Sequence, residues 1–133
     1  MTSEIAYRVR QWPELSALGA LREAAWGGKD DGQWWQPVLE RSLTWVTAFD
    51  GETLVGFVNI AWDGGVHAFL LDTTVHPDWG RRGIGTELVR RAEAAAREYG
   101  GLEWLHVDYE PHLTGFYEGC GFASTPAGLL KLN

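Results

Sequence analysis

The 133 residues include a single cysteine, Cys120. One thiol excludes an internal disulfide framework and a Cys-based zinc site. Long apolar runs are missing as well, and none approaches the ~20 residues of a bilayer span. Positive charge is scarce: 11 Lys and Arg stand against 18 Asp and Glu, a formal net charge of −7. That balance argues against a nucleic-acid partner, which would need a broad basic surface, and leaves room for a cationic one. The opening residues Met1-Thr2-Ser3-Glu4 lack the basic region and apolar stretch of a secretory signal, so a cytoplasmic location is the expectation. Four histidines are present, but no pair combines ligand spacing with a carboxylate, and no metal is expected.

What is present suits a folded, soluble chain. Hydrophobic residues make up 45% and charged residues 22%. The length fits one domain, residues 1–133, with enough chain to bury a sizeable core. Eight tryptophans and 17 glycines exceed the usual shares.

The order of elements follows from periodicity and turn chemistry. Residues 5–10 alternate weakly and predict a strand. Leu15, Leu18, Leu21, Ala25 and Trp26 have helical spacing over 13–26, and 34–42 predicts a second short helix that Pro37 weakens. Residues 43–49 and 53–61 flank Asp50-Gly51 and predict a hairpin. Residues 66–75 form a nearly continuous apolar run, as in a strand covered on both faces. A helix is expected over 85–99, ended by Gly100-Gly101, then a strand over 102–108 and a short helix over 113–118. Residues 122–132 are expected to hold one or two closing strands. The sum is a mixed α/β domain.

The segment 75–88, VHPDWGRRGIGTEL, runs from the apolar strand through a Gly- and Arg-rich turn into the long helix. Such a turn is an anion site, because successive N–H groups form a nest and the helix N-terminus adds unpaired donors. Residues 81–97 carry five arginines against Glu87 and Glu93 in an otherwise acidic chain. A Walker A loop fails here, since Thr86-Glu87 follows Gly85 where Lys-Ser/Thr is needed. A dinucleotide fingerprint fails too, with Leu88 at the third glycine position.

The same segment resembles the coenzyme A-binding motif of the GNAT acetyltransferase superfamily. Val75-His76-Pro77, Gly83-Ile84-Gly85 and Leu88 match it, while Gly80 stands where the family usually has Gln or Arg. Downstream, Phe116-Tyr117-Glu118-Gly119-Cys120-Gly121-Phe122 resembles the family's Phe-Tyr-Glu-x-x-Gly-Phe segment. Glu110 replaces an Asn that the family often places seven residues before the Tyr.

The resemblance implies a GNAT-like mixed central sheet flanked by helices, with strands four and five splayed apart. It implies acetyl-CoA as co-substrate, its pantetheine arm along Thr73, Thr74 and Val75. The N–H groups of Arg81, Arg82, Gly83, Ile84, Gly85 and Thr86 would then cradle its pyrophosphate. A primary amine of a small, cationic acceptor would attack the thioester directly in a ternary complex. Tyr117 matches the family's general acid. Asp72 interrupts an apolar strand, which is costly unless the carboxylate is paired or used, and it is the candidate base. Simple alternation puts it opposite His67, Phe69 and Leu71 unless a bulge shifts the register. Asp108 and Glu110, across the splay, are candidate contacts for the amine. Trp26, Trp34 and Trp35 flank a loop containing Asp30 and Asp31. They offer either an aromatic wall for a cation, with Trp34 as substrate contact, or ordinary helix packing. His67, His76 and Cys120 read as structural. Many members of the family pair through sheet edges or C-terminal strands, and monomer and homodimer both stay open. The other class of reading is a coenzyme A-binding regulatory module with little or no turnover.

Overall fold

A computed structural model describes residues 4–133; the residues 1–3 read above for a signal lie outside them. Five strands form one sheet in the order β1-β2-β3-β4-β5. They are β1 (Ile5–Val9), β2 (Thr44–Asp50), β3 (Thr53–Trp62), β4 (His67–Val75) and β5 (Trp104–His106). The first three pairings are antiparallel, and β4 with β5 is parallel. The helices are α1 (Leu15–Trp26), α2 (Trp35–Arg41), α3 (Ile84–Tyr99) and α4 (Thr114–Gly119).

The β2–β3 hairpin turns at Gly51, whose φ of 61° suits a residue without Cβ. Pro37 is tolerated because it sits in the first turn of α2, where its missing N–H has no helical partner to lose. Helix α3 starts at Ile84, behind the left-handed Gly83, and stops at the left-handed Gly100.

Two apolar layers sandwich the sheet. Ile84, Leu88, Val89 and Ala92 of α3 pack on Val46, Val58, Ile60 and Leu70. On the other face Leu18, Leu21, Trp35 and Leu39 of α1 and α2 pack on Trp45, Phe49 and Phe57. Strands β2 and β3 are therefore buried on both sides, in keeping with their largely apolar sequences. Tyr99, at the end of α3, is 54% exposed and packs edge-on against Trp62.

The C-terminus departs from expectation. Residues 122–132 form no strand, and Leu129, Leu130 and Leu132 are exposed. Pro126 lies mid-segment and has no N–H to give a ladder. Strand β5 is also shorter than the predicted 102–108. Its pairing with β4 covers only His67–Phe69 against Trp104–His106, and beyond that point the strands part.

Gly56, paired with Val75, lies beneath α3. A Cβ there would come within 3.0 Å of Leu88 Cδ1, 3.1 Å of Ile84 Cγ2 and 3.2 Å of Ala48 Cβ. Gly56→Ala therefore overpacks the seam between α3 and the sheet. Urea unfolding is expected to show a loss of about 1–3 kcal/mol with an unchanged slope.

Candidate active site

The turn after β4 is held from several sides. His76 Nδ1 accepts the Asp78 N–H at 3.1 Å, and the Trp79 indole donates to Asp50 Oδ2 at 2.9 Å, tying the turn to the β2–β3 hairpin. Arg81 has a φ of 62°, a conformation that L side chains rarely adopt and that clusters at functional sites. The Glu87 N–H reaches the Gly83 carbonyl at 3.1 Å, as the first bond of α3. The N–H groups of Ile84, Gly85 and Thr86 thus have no partner within the helix, and the dipole adds positive potential there. Gly85 is closely packed rather than open: a Cβ would stand 3.4 Å from the Phe116 ring.

The arginines divide into two groups. Arg90 grips Glu87 with Nε at 2.9 Å and a terminal nitrogen at 2.6 Å, and Arg91 Nε adds a bond at 2.6 Å. The hydrogen bonds from Arg90 and then Arg91 hold the Glu87 carboxyl down to about 2. Arg97 pairs with Glu93 at 3.1 Å. Among the described residues, Arg81 and Arg82 enter no ion pair. They are the basic side chains left over at the turn.

Beside the turn, where β4 and β5 part, lies a cavity of about 560 Å³. Its walls include Asp72, Thr73 and Thr74 of β4, Asp108 and Glu110 after β5, and Tyr117 of α4. A bulge delivers Asp72 to it. Phe57 pairs with Thr74 but Asn59 pairs with Leu71, so Val58 faces two residues of β4. Asp72 takes up the irregularity with a φ of 61°. The register shift brings its carboxyl to Arg22 and Asn59, on the α1 side of the sheet. Burial raises its proton affinity above the ordinary carboxylate value, against the opposing hydrogen bond from Asn59 and the Arg22 charge.

Tyr117 is buried, with Tyr109 stacked on it at 4.9 Å. Burial raises its pKa, a hydrogen bond with Thr73 opposes the rise, and the charges of Cys120 and Asp108 add to it. Thr74 Oγ1 accepts from the Trp26 indole at 3.2 Å and donates to the Asp72 carbonyl at 2.8 Å. Glu110 is well exposed and lies 3.8 Å from His112. Burial, and then the charge of Glu93, push the Cys120 thiol up. Sequence reasoning passed over Arg22 and Asn59. Only Asn59 carried a signal, since it interrupts the apolar run of β3 as Asp72 interrupts β4.

Residues 7–122 match the Acetyltransferase (GNAT) family. The chain belongs to this family. It is 29% identical over 76 residues to the uncharacterized N-acetyltransferase ycf52 of Pyropia yezoensis, covering 57% of this chain and 43% of that protein. The chain thus spans less than half the length of that relative. The structure of a GNAT family acetyltransferase, SP0256 of Streptococcus pneumoniae, is 25% identical with a TM-score of 0.78, and 98% of each chain is covered. The aminoglycoside N-acetyltransferase AAC(6')-Iy, solved in complex with CoA, shares the fold at 19% identity and a TM-score of 0.78, covering 100% of this chain and 97% of that one.

Within this GNAT fold the Asp30 loop has a building role. Asp30 accepts the Gly32 N–H at 2.8 Å, the Trp34 indole at 3.0 Å and the Trp35 indole at 3.2 Å. Arg22 Nε lies 3.9 Å away, and the Asp30 side chain is 2% exposed. Its acceptors are thus already engaged. Asp31 likewise accepts the Gln33 N–H at 2.9 Å. Trp34 stacks on Trp35 at 4.2 Å and does not line the cavity, whereas Trp26 and Trp35 do.

Burial raises the Asp30 pKa, but the bonds from Trp34, Gly32 and Trp35 and the Arg22 charge outweigh it and leave a net lowering. A depressed carboxyl stabilises the fold above its unfolded value, and that contribution is lost as pH falls through the folded value. Asp30→Ala leaves the Trp35 indole without a partner and is expected to cost about 1–3 kcal/mol near neutrality. In thermal unfolding the gap between the two proteins should narrow below about pH 4, where Asp30 takes up a proton in the unfolded chain.

Proposed function

We propose that the chain is an N-acetyltransferase that passes the acetyl group of acetyl-CoA to a primary amine of a small, cationic acceptor, by direct attack in a ternary complex. The observation that carries this reading is the meeting of Asp72 and Tyr117 in one cavity, beside a turn rich in unpaired N–H groups. CoA bound to the AAC(6')-Iy relative supports the choice of donor.

In this reading the N–H groups of residues 81–86 take the pyrophosphate, with Arg81 and Arg82 as counter-charges. The pantetheine arm lies along Thr73, Thr74 and Val75, where β4 has lost β5 as a partner. A protonated amine is drawn in by Asp72, Asp108 and Glu110. Asp72, with its raised proton affinity, accepts the amine proton more readily than an ordinary aspartate would. The nitrogen lone pair attacks the thioester carbonyl. A main-chain N–H at the end of β4 stabilises the oxyanion. The C–S bond then breaks, Tyr117, kept neutral by burial, gives its proton to the departing sulfur, and the surplus proton on the acylated nitrogen restores the phenol as the amide forms.

Thiol release from acetyl-CoA against a panel of amines tests the whole reading. Tyr117→Phe is expected to lower kcat on the order of 10²-fold while CoA affinity by calorimetry stays within about twofold. Equal turnover in the two proteins removes Tyr117 as the acid. Asp72→Asn should lower kcat and abolish the acid limb of the pH profile. Because the Asp72 proton affinity is raised, that limb should lie above the ordinary aspartate value of about 3.9, with activity lost as pH falls through it. Tight CoA binding with no acceptor turned over favours the regulatory module instead.

A further inference from the structure

Asn59 is 1% exposed, in the middle of β3, on the face that packs against α1 and α2. Its neighbours along and across the sheet are apolar: Val58 and Ile60 in sequence, Trp45 and Leu71 in register. An aliphatic side chain would satisfy such a position without desolvating an amide. Nevertheless an amide is there. The bulge sets its side chain beside Asp72, where it lowers the proton affinity of that carboxyl. Asn59 Oδ1 is buried with no hydrogen-bond partner among the described residues. The bulge opposite Val58 is what brings Asp72 within reach of it.

We propose that Asn59 is a positioning residue that holds Asp72 in its ionised, proton-accepting orientation and turns its amide over once that carboxyl is protonated. The inference rests on Asp72 being the base. An amide offers a donor edge and an acceptor edge related by a half-turn about its last bond. Before proton transfer, Asp72 is acceptor-only and takes the Nδ2 donor. After the amine proton arrives, Asp72 carries an O–H that needs an acceptor, and the unpartnered Oδ1 supplies one. The half-turn breaks no other bond of Oδ1, since it makes none. Arg22 of α1 is the other favourable charge facing Asp72. Across the cavity stand Tyr117 of α4, Asp108 and Glu110 beyond β5, and His112. The balance on Asp72 itself is set by burial on one side and by Asn59 and Arg22 on the other.

The sign of the test follows. Removing the donor removes stabilisation of the carboxylate, so Asp72 binds its proton more tightly and the acid limb moves to higher pH. Carbon-13 NMR of the Asp72 carboxyl in the free protein reads this with no acceptor present. In Asn59→Leu the midpoint is expected to rise by roughly one pH unit, a tenfold gain in proton affinity. The acid limb of kcat/KM for an accepted amine should move with it, while KM for acetyl-CoA stays within about twofold. In the unaltered protein, the Asn59 side-chain NH₂ signals should titrate with the Asp72 midpoint. This second readout needs no variant and stands even if Asn59→Leu unfolds. An unmoved carboxyl midpoint in a folded Asn59→Leu protein, or NH₂ signals blind to the titration, overturns the proposal. Full turnover in Asp72→Asn overturns the base reading, and with it the positioning role, even where the NMR coupling is seen.

Discussion

The site depends on β4 losing its partner partway along. The parallel ladder with β5 holds only as far as Phe69 and His106. Past that point β4 continues to Val75 with β3 on one side and open space on the other. Main-chain donors and acceptors left at such a gap must find water or a ligand. An extended molecule with amide groups of its own can replace the missing strand. The gap also lets α4 bring Tyr117 and its Thr73 contact to the middle of the sheet rather than its rim.

Holding the gap open falls to the packing on the two faces. Helix α3 is drawn onto the sheet at Gly56, where there is no room for another methyl group. Its N-terminus is thereby fixed beside the end of β4. On the opposite face, α1 reaches β4 through the Trp26 indole, which bonds Thr74 next to the bulge. The Asp30 loop secures Trp35 behind the same cavity wall. These ties use different bonds but converge on residues 72–75. A change in either layer therefore reaches the site through β4.

Much of this was legible in the sequence because the deciding signals were local. Asp50-Gly51 marked the hairpin, Gly100-Gly101 marked the end of α3, and the turn between β4 and α3 showed itself by its glycines and arginines. The polar break at Asp72 was visible, but its face was not. Alternation alone points it away from Leu71, and only the pairing of β3 with β4 reveals the bulge that reverses this. The C-terminal strands failed for a related reason: a β-rich composition does not guarantee a partner edge. Trp34 and Asp30 were adjacent in sequence to the right region, yet the carboxylate spends its acceptors on indoles. Asn59 carried the same mark as Asp72, a polar residue inside an apolar run. Its meaning depends on a neighbour 13 positions away.

On the acetyl-transfer reading, burial acts on the acid and the base in one direction with different consequences. It raises the proton affinity of Asp72, which strengthens a base. It also raises that of Tyr117, which weakens an acid. A phenol above its reference value of about 10 gives its proton uphill to a thiolate near 8.5. Two features reduce that climb. Breaking the C–S bond builds charge on sulfur only as the proton is needed, so transfer is coupled to expulsion. The Thr73 hydrogen bond favours the phenolate and opposes the burial of the ring. Asn59 opposes burial at Asp72 in the same way. Each titrating group thus has one neutral partner working against its desolvation, and both partners sit on strands that flank the bulge. The geometry of β4 sets the acid–base balance as well as the place where the donor lies.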